Sequence, residues 1–173
     1  RTSDAAFRPI ALAMWPDGGL YVADWTNPII NHGEVDFRDP RRDKQHGRIW
    51  RIRHVSQKPR VIIDFNQVKT EELVNYLKSP SLWEKRAAWH QISDRPISET
   101  KGLAMSLMAL ATNESQDEVT RIHALWSLEG IKHYDATLLS LLLKSPLHDL
   151  RREAVRSLAS FSLNTAQIAS SVK

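Results

Sequence analysis

The chain has 173 residues, 42% of them apolar, which is enough for one or two small domains with a core and too many for a disordered segment. No apolar run approaches the ~20 residues of a membrane-spanning helix, and the lack of cysteine excludes disulfides, cysteine-ligated zinc and a C-x-x-C-H haem attachment within these residues. A net charge of +4 makes the chain mildly basic, but its densest charged stretch, Arg38-Asp39-Pro40-Arg41-Arg42-Asp43-Lys44, alternates in sign, whereas a nucleic-acid binder gathers its charge on one face.

Arg1 opens mid-pattern, and no signal peptide is visible, so the chain is expected to be a piece of a longer protein and its compartment is not readable from this end. Residues 1–66 hold five of the eight prolines and four of the six glycines, and residues 67–173 are rich in Leu, Ala, Ser and Glu. The first composition goes with strands and turns, the second with helices. The fold class expected is α+β, with an antiparallel sheet over 1–66 and helices over 67–173.

Ile10-Ala11-Leu12-Ala13-Met14 is the first strand. Trp15-Pro16-Asp17-Gly18-Gly19 has the residues of a tight turn, with Pro presetting φ, Asp bonding back to the backbone and Gly accepting positive φ. Leu20-Tyr21-Val22-Ala23-Asp24 returns as the second strand. Gly47–Arg53 reads as a third strand, its alternation placing charge mostly on one side and apolar bulk mostly on the other. Arg60–Phe65 can supply a fourth. So few strands cannot cover both faces and both edges of a sheet by themselves.

Between the second and third strands lies a long insertion, residues 25–46. Loops of that length are often functional. Its candidate site residues are His32 and His46 as catalytic bases, with Arg38, Asp39, Arg41, Arg42 and Asp43 as substrate or cofactor contacts. A histidine can take a proton from an alcohol carbon's hydroxyl, and arginines can hold a carboxylate by paired hydrogen bonds. The spacing of His32, Asp39, Asp43 and His46 fits no tight metal signature, so metal binding stays open. The competing reading is a loop braced by its own ion pairs.

The helical half carries an internal repeat. Lys85-x-x-Ala88-x-x-x-Ile92 recurs as Arg121-x-x-Ala124-x-x-x-Leu128 and as Arg151-x-x-Ala154-x-x-x-Leu158. Leu77-Lys78-Ser79-Pro80 recurs as Leu143-Lys144-Ser145-Pro146. The spacing predicts stacked helix pairs, with the alanines at equivalent buried positions and the preceding cations snorkelling or pairing with a carboxylate. Thr70, Ser81 (with Glu84), Ser115 (with Glu118) and Asp135 are candidate N-caps. Gly130 suits a helix C-terminus. A helix is expected over 98–112, and another begins in 165–173. Trp83, Trp89 and Trp126 are read as packing residues, and His90, His123, His133 and His148 as structural or exposed.

Phe7-Arg8-Pro9-Ile10, Pro16–Trp25, Asn27-Pro28-Ile29-Ile30-Asn31-His32, Phe37–Asp43 and His46–Ile52 together carry a resemblance. The P-D-G-x-L-Y-V-x-D hairpin is common to many propellers, and the N-P-I-I, F-R-D-P-R-R-D and H-G-R-I-W-R-I series is far more specific. The sequence resembles large bacterial membrane-bound dehydrogenases that join a β-propeller, similar to quinoprotein sugar dehydrogenases, to HEAT repeats, usually with a c-type cytochrome domain after them. The likeness covers residues 7–53 in sequence and 67–173 as repeat architecture. It implies a periplasmic or envelope parent that oxidises a sugar or alcohol, with pyrroloquinoline quinone (PQQ) possible and c-type haem expected in that parent. This chain would be a non-catalytic part of it, a terminal blade closing the propeller followed by a HEAT-like docking or spacer stack. Its partners would be the remaining blades, the cytochrome domain and a protein docked on the repeats. The alternatives are a HEAT interaction module on an unrelated propeller and a nucleic-acid-binding HEAT surface.

Overall fold

The computed structural model describes residues 2–29, 39–58 and 60–160. The chain divides into two compact units, Arg1–Ile63 and Asp64–Lys173.

In the first unit, β1 (Pro9–Met14), β2 (Leu20–Asp24) and β3 (Arg48–Ile52) form an antiparallel sheet in the order β1-β2-β3. The β1–β2 turn follows the sequence chemistry. Gly18 sits at φ +83°, and a Cβ there would come within 2.5 Å of Gln57 Nε2, which donates to the Gly18 carbonyl at 2.9 Å. Asp17 Oδ1 accepts from the Gly19 N–H at 2.9 Å, closing the turn from inside.

Register settles the two faces. Leu12 lies opposite Val22, and Val22 opposite Trp50; Met14 pairs with Leu20, and Leu20 with Ile52. Directly opposed residues share a face, so these six lie on one side. Ala11, Ala13, Tyr21, Ala23 and Ile49 lie on the other. The expected alternation in β3 therefore holds, yet both faces leave apolar side chains in water, Leu12 67% exposed on one and Ile49 76% on the other, although Val22 is buried.

The fourth strand expected over residues 60–65 is absent from the described residues. Val61 and Ile62 are exposed. Phe65 packs instead in the second unit, its ring 4.9 Å from that of Tyr76 and 5.7 Å from that of Trp83. The Phe65 carbonyl accepts from Arg95 at 3.0 Å rather than from a neighbouring strand.

The second unit is helical: α1 (Leu73–Tyr76), α2 (Leu82–Asp94), α3 (Ile97–Thr100), α4 (Ala104–Thr112), α5 (Glu118–Gly130), α6 (Ala136–Leu142) and α7 (His148–Ser160). α1 packs on α2, α4 on α5 and α6 on α7, while α5 also packs against both α2 and α7. Ala88, Ala124 and Ala154 are all fully buried, at the equivalent positions the repeat requires. The two Leu-Lys-Ser-Pro phrases make the same turn. Lys78 and Ser79 donate their N–H groups to the carbonyls of Asn75 and Tyr76, and Lys144 and Ser145 donate to those of Leu141 and Leu142, all four at 3.1 Å.

The cations before the alanines have a shared task that their sequence pattern did not disclose. Lys85 Nζ donates to the Leu77 carbonyl at 3.1 Å, Arg121 Nε to that of Ala111 at 2.9 Å, and Arg151 Nη1 to that of Ser145 at 2.6 Å. Lys85 and Arg121 each satisfy a carbonyl at the C-terminal end of the preceding helix, where positive charge is also favoured by the helix dipole, and Arg151 satisfies one in the turn that follows α6.

Some caps differ from expectation. Ser81 and Asp135 cap α2 and α6 as expected. Thr70 does not cap; it opens a 3-10 turn, and its hydroxyl accepts from Arg95 at 2.9 Å. Ser115 is displaced by Asp117, whose carboxylate accepts from the Thr120 N–H at 2.9 Å. Glu118, freed from a capping box, accepts at 3.0 Å from the N–H groups of Asp149 and Leu150 in the first turn of α7. The helix expected over 98–112 is broken by a 3-10 turn at Lys101–Leu103. At the end of α5 the left-handed residue is Lys132, φ 54°, with Lys132 N–H on the Glu129 carbonyl and His133 N–H on that of Leu128, a Schellman ending. Gly130 serves packing instead: a Cβ there would lie 2.9 Å from Ser93 Cα. The helix anticipated in 165–173 lies outside the described residues.

Candidate functional site

The insertion 25–46 is entered from β2 through a set of bonds to the N-terminal segment. Trp25 N–H donates to the Arg8 carbonyl at 2.9 Å and Asn27 N–H to that of Ala6 at 3.0 Å. His32 and Arg38 lie outside the described residues. Asp39, Arg41, Arg42, Asp43 and His46 are described, and they form two local groups.

Arg41 grips Asp39 with Nε at 3.1 Å and Nη2 at 2.7 Å, and its backbone N–H adds a bond of 2.9 Å. Those bonds, side-chain first, hold the Asp39 carboxyl at about 2 and raise Arg41. Asp43 accepts from the N–H groups of Gln45 and His46 at 3.0 Å and lies 3.0 Å from His46 Nδ1. Its carboxyl is lowered chiefly by the Gln45 N–H. A carboxylate on Nδ1 is the arrangement that orients an imidazole base. Yet the side chains of Arg41 and His46 are 73% and 74% exposed, where water screens such pairs and their contribution is small. The guanidinium edge that would hold a carboxylate ligand is already on Asp39. This geometry braces two turns.

Among the described residues of this unit, a densely connected polar group is one the sequence reading does not single out. Asp24, at the end of β2, is 3% exposed. Its Oδ1 accepts from the N–H groups of Arg8 at 2.7 Å and Thr26 at 2.9 Å. Its Oδ2 accepts from Arg48 Nε at 2.9 Å and from the Trp50 indole N–H at 2.8 Å. Burial pushes the carboxyl upward, but the indole, the two backbone donors and Arg48 outweigh it and hold Asp24 at about 2. Arg48 goes on to pair with Asp4 at 2.7 Å and lies over the Trp50 ring, 5.1 Å from its centroid. Asp17 repeats the scheme at the turn, bonded to Gly19 N–H, Tyr21 hydroxyl at 3.2 Å and Arg51 at 2.5 Å. Both carboxylates are saturated by fixed donors, so they tie strands together rather than await a ligand.

On the sheet face carrying Ala11, Ala13, Tyr21, Ala23 and Ile49 there is an open depression of about 330 Å³, bordered by Trp15. The opposite face has a smaller one of about 240 Å³ beside Phe7, Val22, Trp50 and Ile52. Among the described residues no three His, Asp or Glu side chains gather closely enough to hold a metal ion, and no helix is long and apolar enough to cross a membrane.

In the helical unit the polar clusters are internal ties. Lys85 also bonds Asp117 at 3.1 Å and the Thr120 hydroxyl. Glu153, nearly buried, accepts from Trp126 Nε1 at 2.9 Å and Arg156 Nε at 2.7 Å, and Arg156 continues to Glu129 at 2.8 Å. Trp89 and Trp126 stack between α2 and α5 with centroids 5.0 Å apart, the packing role expected of them.

No curated protein and no solved structure matches the chain. Residues 1–56, which span the sheet, the insertion and the Asp24 hub, match a family model described as a domain of unknown function, DUF7133.

Proposed function

We propose that the first unit is one blade of a larger β-propeller, and that the helical unit is a HEAT-like stack acting as a docking or spacing module in a quinoprotein-like dehydrogenase. The observation that carries this reading is the sheet: apolar side chains stand exposed on both of its faces, Leu12 and Met14 on one and Ile49 on the other. A blade is covered on both faces by its neighbours. Each such side chain contributes ~1.5–3 kcal/mol once covered, which is a strong drive to find a partner surface.

The role given to these residues is structural. A carboxylated quinone needs cationic donors that are free to face it. In the described loop Arg41 is committed to Asp39, and Asp43 to two backbone N–H groups and His46. A c-type haem needs cysteines that the chain does not contain. The described pairs present no free donor to a quinone, so this reading assigns no redox step to this segment, and oxidation of a sugar or alcohol belongs to the rest of the parent.

Hydroxyl-radical footprinting tests the reading. Met14, Trp15 and Trp50 are oxidised in this chain and compared with the longest polypeptide its gene encodes. Strong protection of Met14 and Trp50 in the longer protein is expected. Equal reactivity in both would contradict the blade assignment.

A further inference from the structure

His123 lies in the middle of α5, where that helix meets α2, and only 3% of it is exposed. Its Nδ1 is 2.8 Å from the carbonyl oxygen of Val119. A carbonyl only accepts, so the proton of the neutral ring sits on Nδ1 and Nε2 presents a bare lone pair. Nε2 is buried and has no hydrogen-bond partner. Two indoles flank the ring: Trp126 at 5.0 Å, and Trp89 edge-on at 6.1 Å.

We propose that His123 is an acid-sensitive latch between α2 and α5, and that taking up a proton at Nε2 releases the packing of these two helices. The new N–H would point into a site with no acceptor, and the charge would be enclosed without a counter-ion in contact with it, which folded proteins avoid by opening or by refusing the proton. The neighbours make the refusal stronger. From α2, Lys85 and Arg86 both act against a cation on the ring. His90, exposed, packs its ring on Trp89 with centroids 4.5 Å apart. Asp117, the cap of α5, favours the cation but is already bonded to Lys85 and Thr120. From α7, Glu153 is committed to Trp126, Arg152 and Arg156. α4 carries no titratable side chain.

Burial first, then the two cations, hold His123 below the ordinary histidine value, against the pull of the Val119 carbonyl. A histidine whose value is depressed in the folded state contributes stability that is present above the unfolded value of ~6.5 and is lost as pH falls towards the folded value. The packing of α2 on α5 is therefore firm at neutral pH and weakens in mild acid.

Two measurements on the full chain test this. In an NMR titration the His123 ring is expected as the Nδ1–H tautomer at neutral pH, gaining its proton only below ~6.5. An Nε2–H tautomer, or protonation at or above that value, would overturn the proposal. Thermal midpoints are then compared at pH 7.5 and pH 5 for the wild type and His123→Phe, which keeps an aromatic ring but cannot titrate. The wild type is expected to lose several degrees more than the variant. Equal losses would overturn the proposal, and if His123→Phe does not fold, the ring titration decides alone.

Discussion

The two units solve the problem of burial in opposite ways. In the helical unit Leu73, Leu77, Ile92, Leu107, Leu125, Leu128, Leu139, Leu142 and Leu150 are all fully enclosed, and the charged groups buried with them, Lys85, Arg121 and Glu153, are all hydrogen-bonded. In the sheet unit the described buried positions include the polar Asp17, Asp24 and Asn27 beside Val22, while Ile10, Leu12, Met14, Ile49 and Ile52 face water. A helical pair repeat buries its apolar stripe against its own neighbours. A lone three-stranded sheet has no such neighbour, so hydrogen bonds to carboxylates hold it together and its apolar surface is left for something else. The lesson is that the described helices bury their apolar residues against one another, whereas the sheet leaves apolar residues of both faces in water, which is what the proposed blade requires.

The largest effect that separates the two units is a cation at a repeat alanine. Ala124→Arg places an unpaired charge where α5 meets its neighbours and overpacks a site with no free volume, at a cost of about 3–5 kcal/mol in urea unfolding of the helical unit. A cost near zero would contradict the repeat register. The same kind of change on the sheet, Ile49→Lys, should leave this chain's stability nearly unchanged, because the position is already in water.

Asp24→Ala comes next. It leaves two backbone N–H groups, Arg48 and the Trp50 indole without their shared acceptor, and should loosen the sheet, read as a red shift and increased quenching of Trp50 emission. The same carboxyl gives the sheet an acid limit. Its value is lowered to about 2, so the stability it supplies is complete above the unfolded value of ~3.9 and drains away as pH falls from there towards 2. A sheet unit that keeps its fluorescence in Asp24→Ala, and its stability across that pH range, would show the hub to be dispensable.

Smaller effects sharpen the helical side. Arg121→Met leaves the Ala111 carbonyl without its charged donor and should cost ~1–3 kcal/mol in the same urea assay. Lys132→Gly should stabilise by ~1 kcal/mol, since a side chain in the left-handed region is strained and glycine is not. A destabilised Lys132→Gly would mean that the lysine side chain has a stabilising role of its own.

What was legible in the sequence was local. The hairpin turn at Asp17 and Gly18, the caps at Ser81 and Asp135 and the buried alanines follow from residues a few positions apart, or from one phrase repeated. The Asp24 hub joins Arg8, Thr26, Arg48 and Trp50, brought together only by strand register. Alternation did place Asp24 on the face of Val22, and Arg48 on the face of Trp50, but the pairing of β2 with β3 across a long insertion was needed to bring them into contact. Phe65 reads as strand in the sequence because an isolated apolar run looks the same whether a sheet or a helix pair receives it. Ser115 lost its helix end to Asp117 because two good cap residues stood within one turn. In the insertion, the alternating charges of Asp39, Arg41, Asp43 and His46 signalled pairing among themselves as readily as a ligand site, and the described residues pair.

Ile49→Lys, measured twice, tests the layered sheet most directly. Its thermal midpoint is compared with wild type first in this chain and then in the longest polypeptide the gene encodes. A sheet that is one layer among others gives no change in this chain and a loss of several degrees in the longer protein, where the lysine would be forced between packed sheets. No change in either would contradict it.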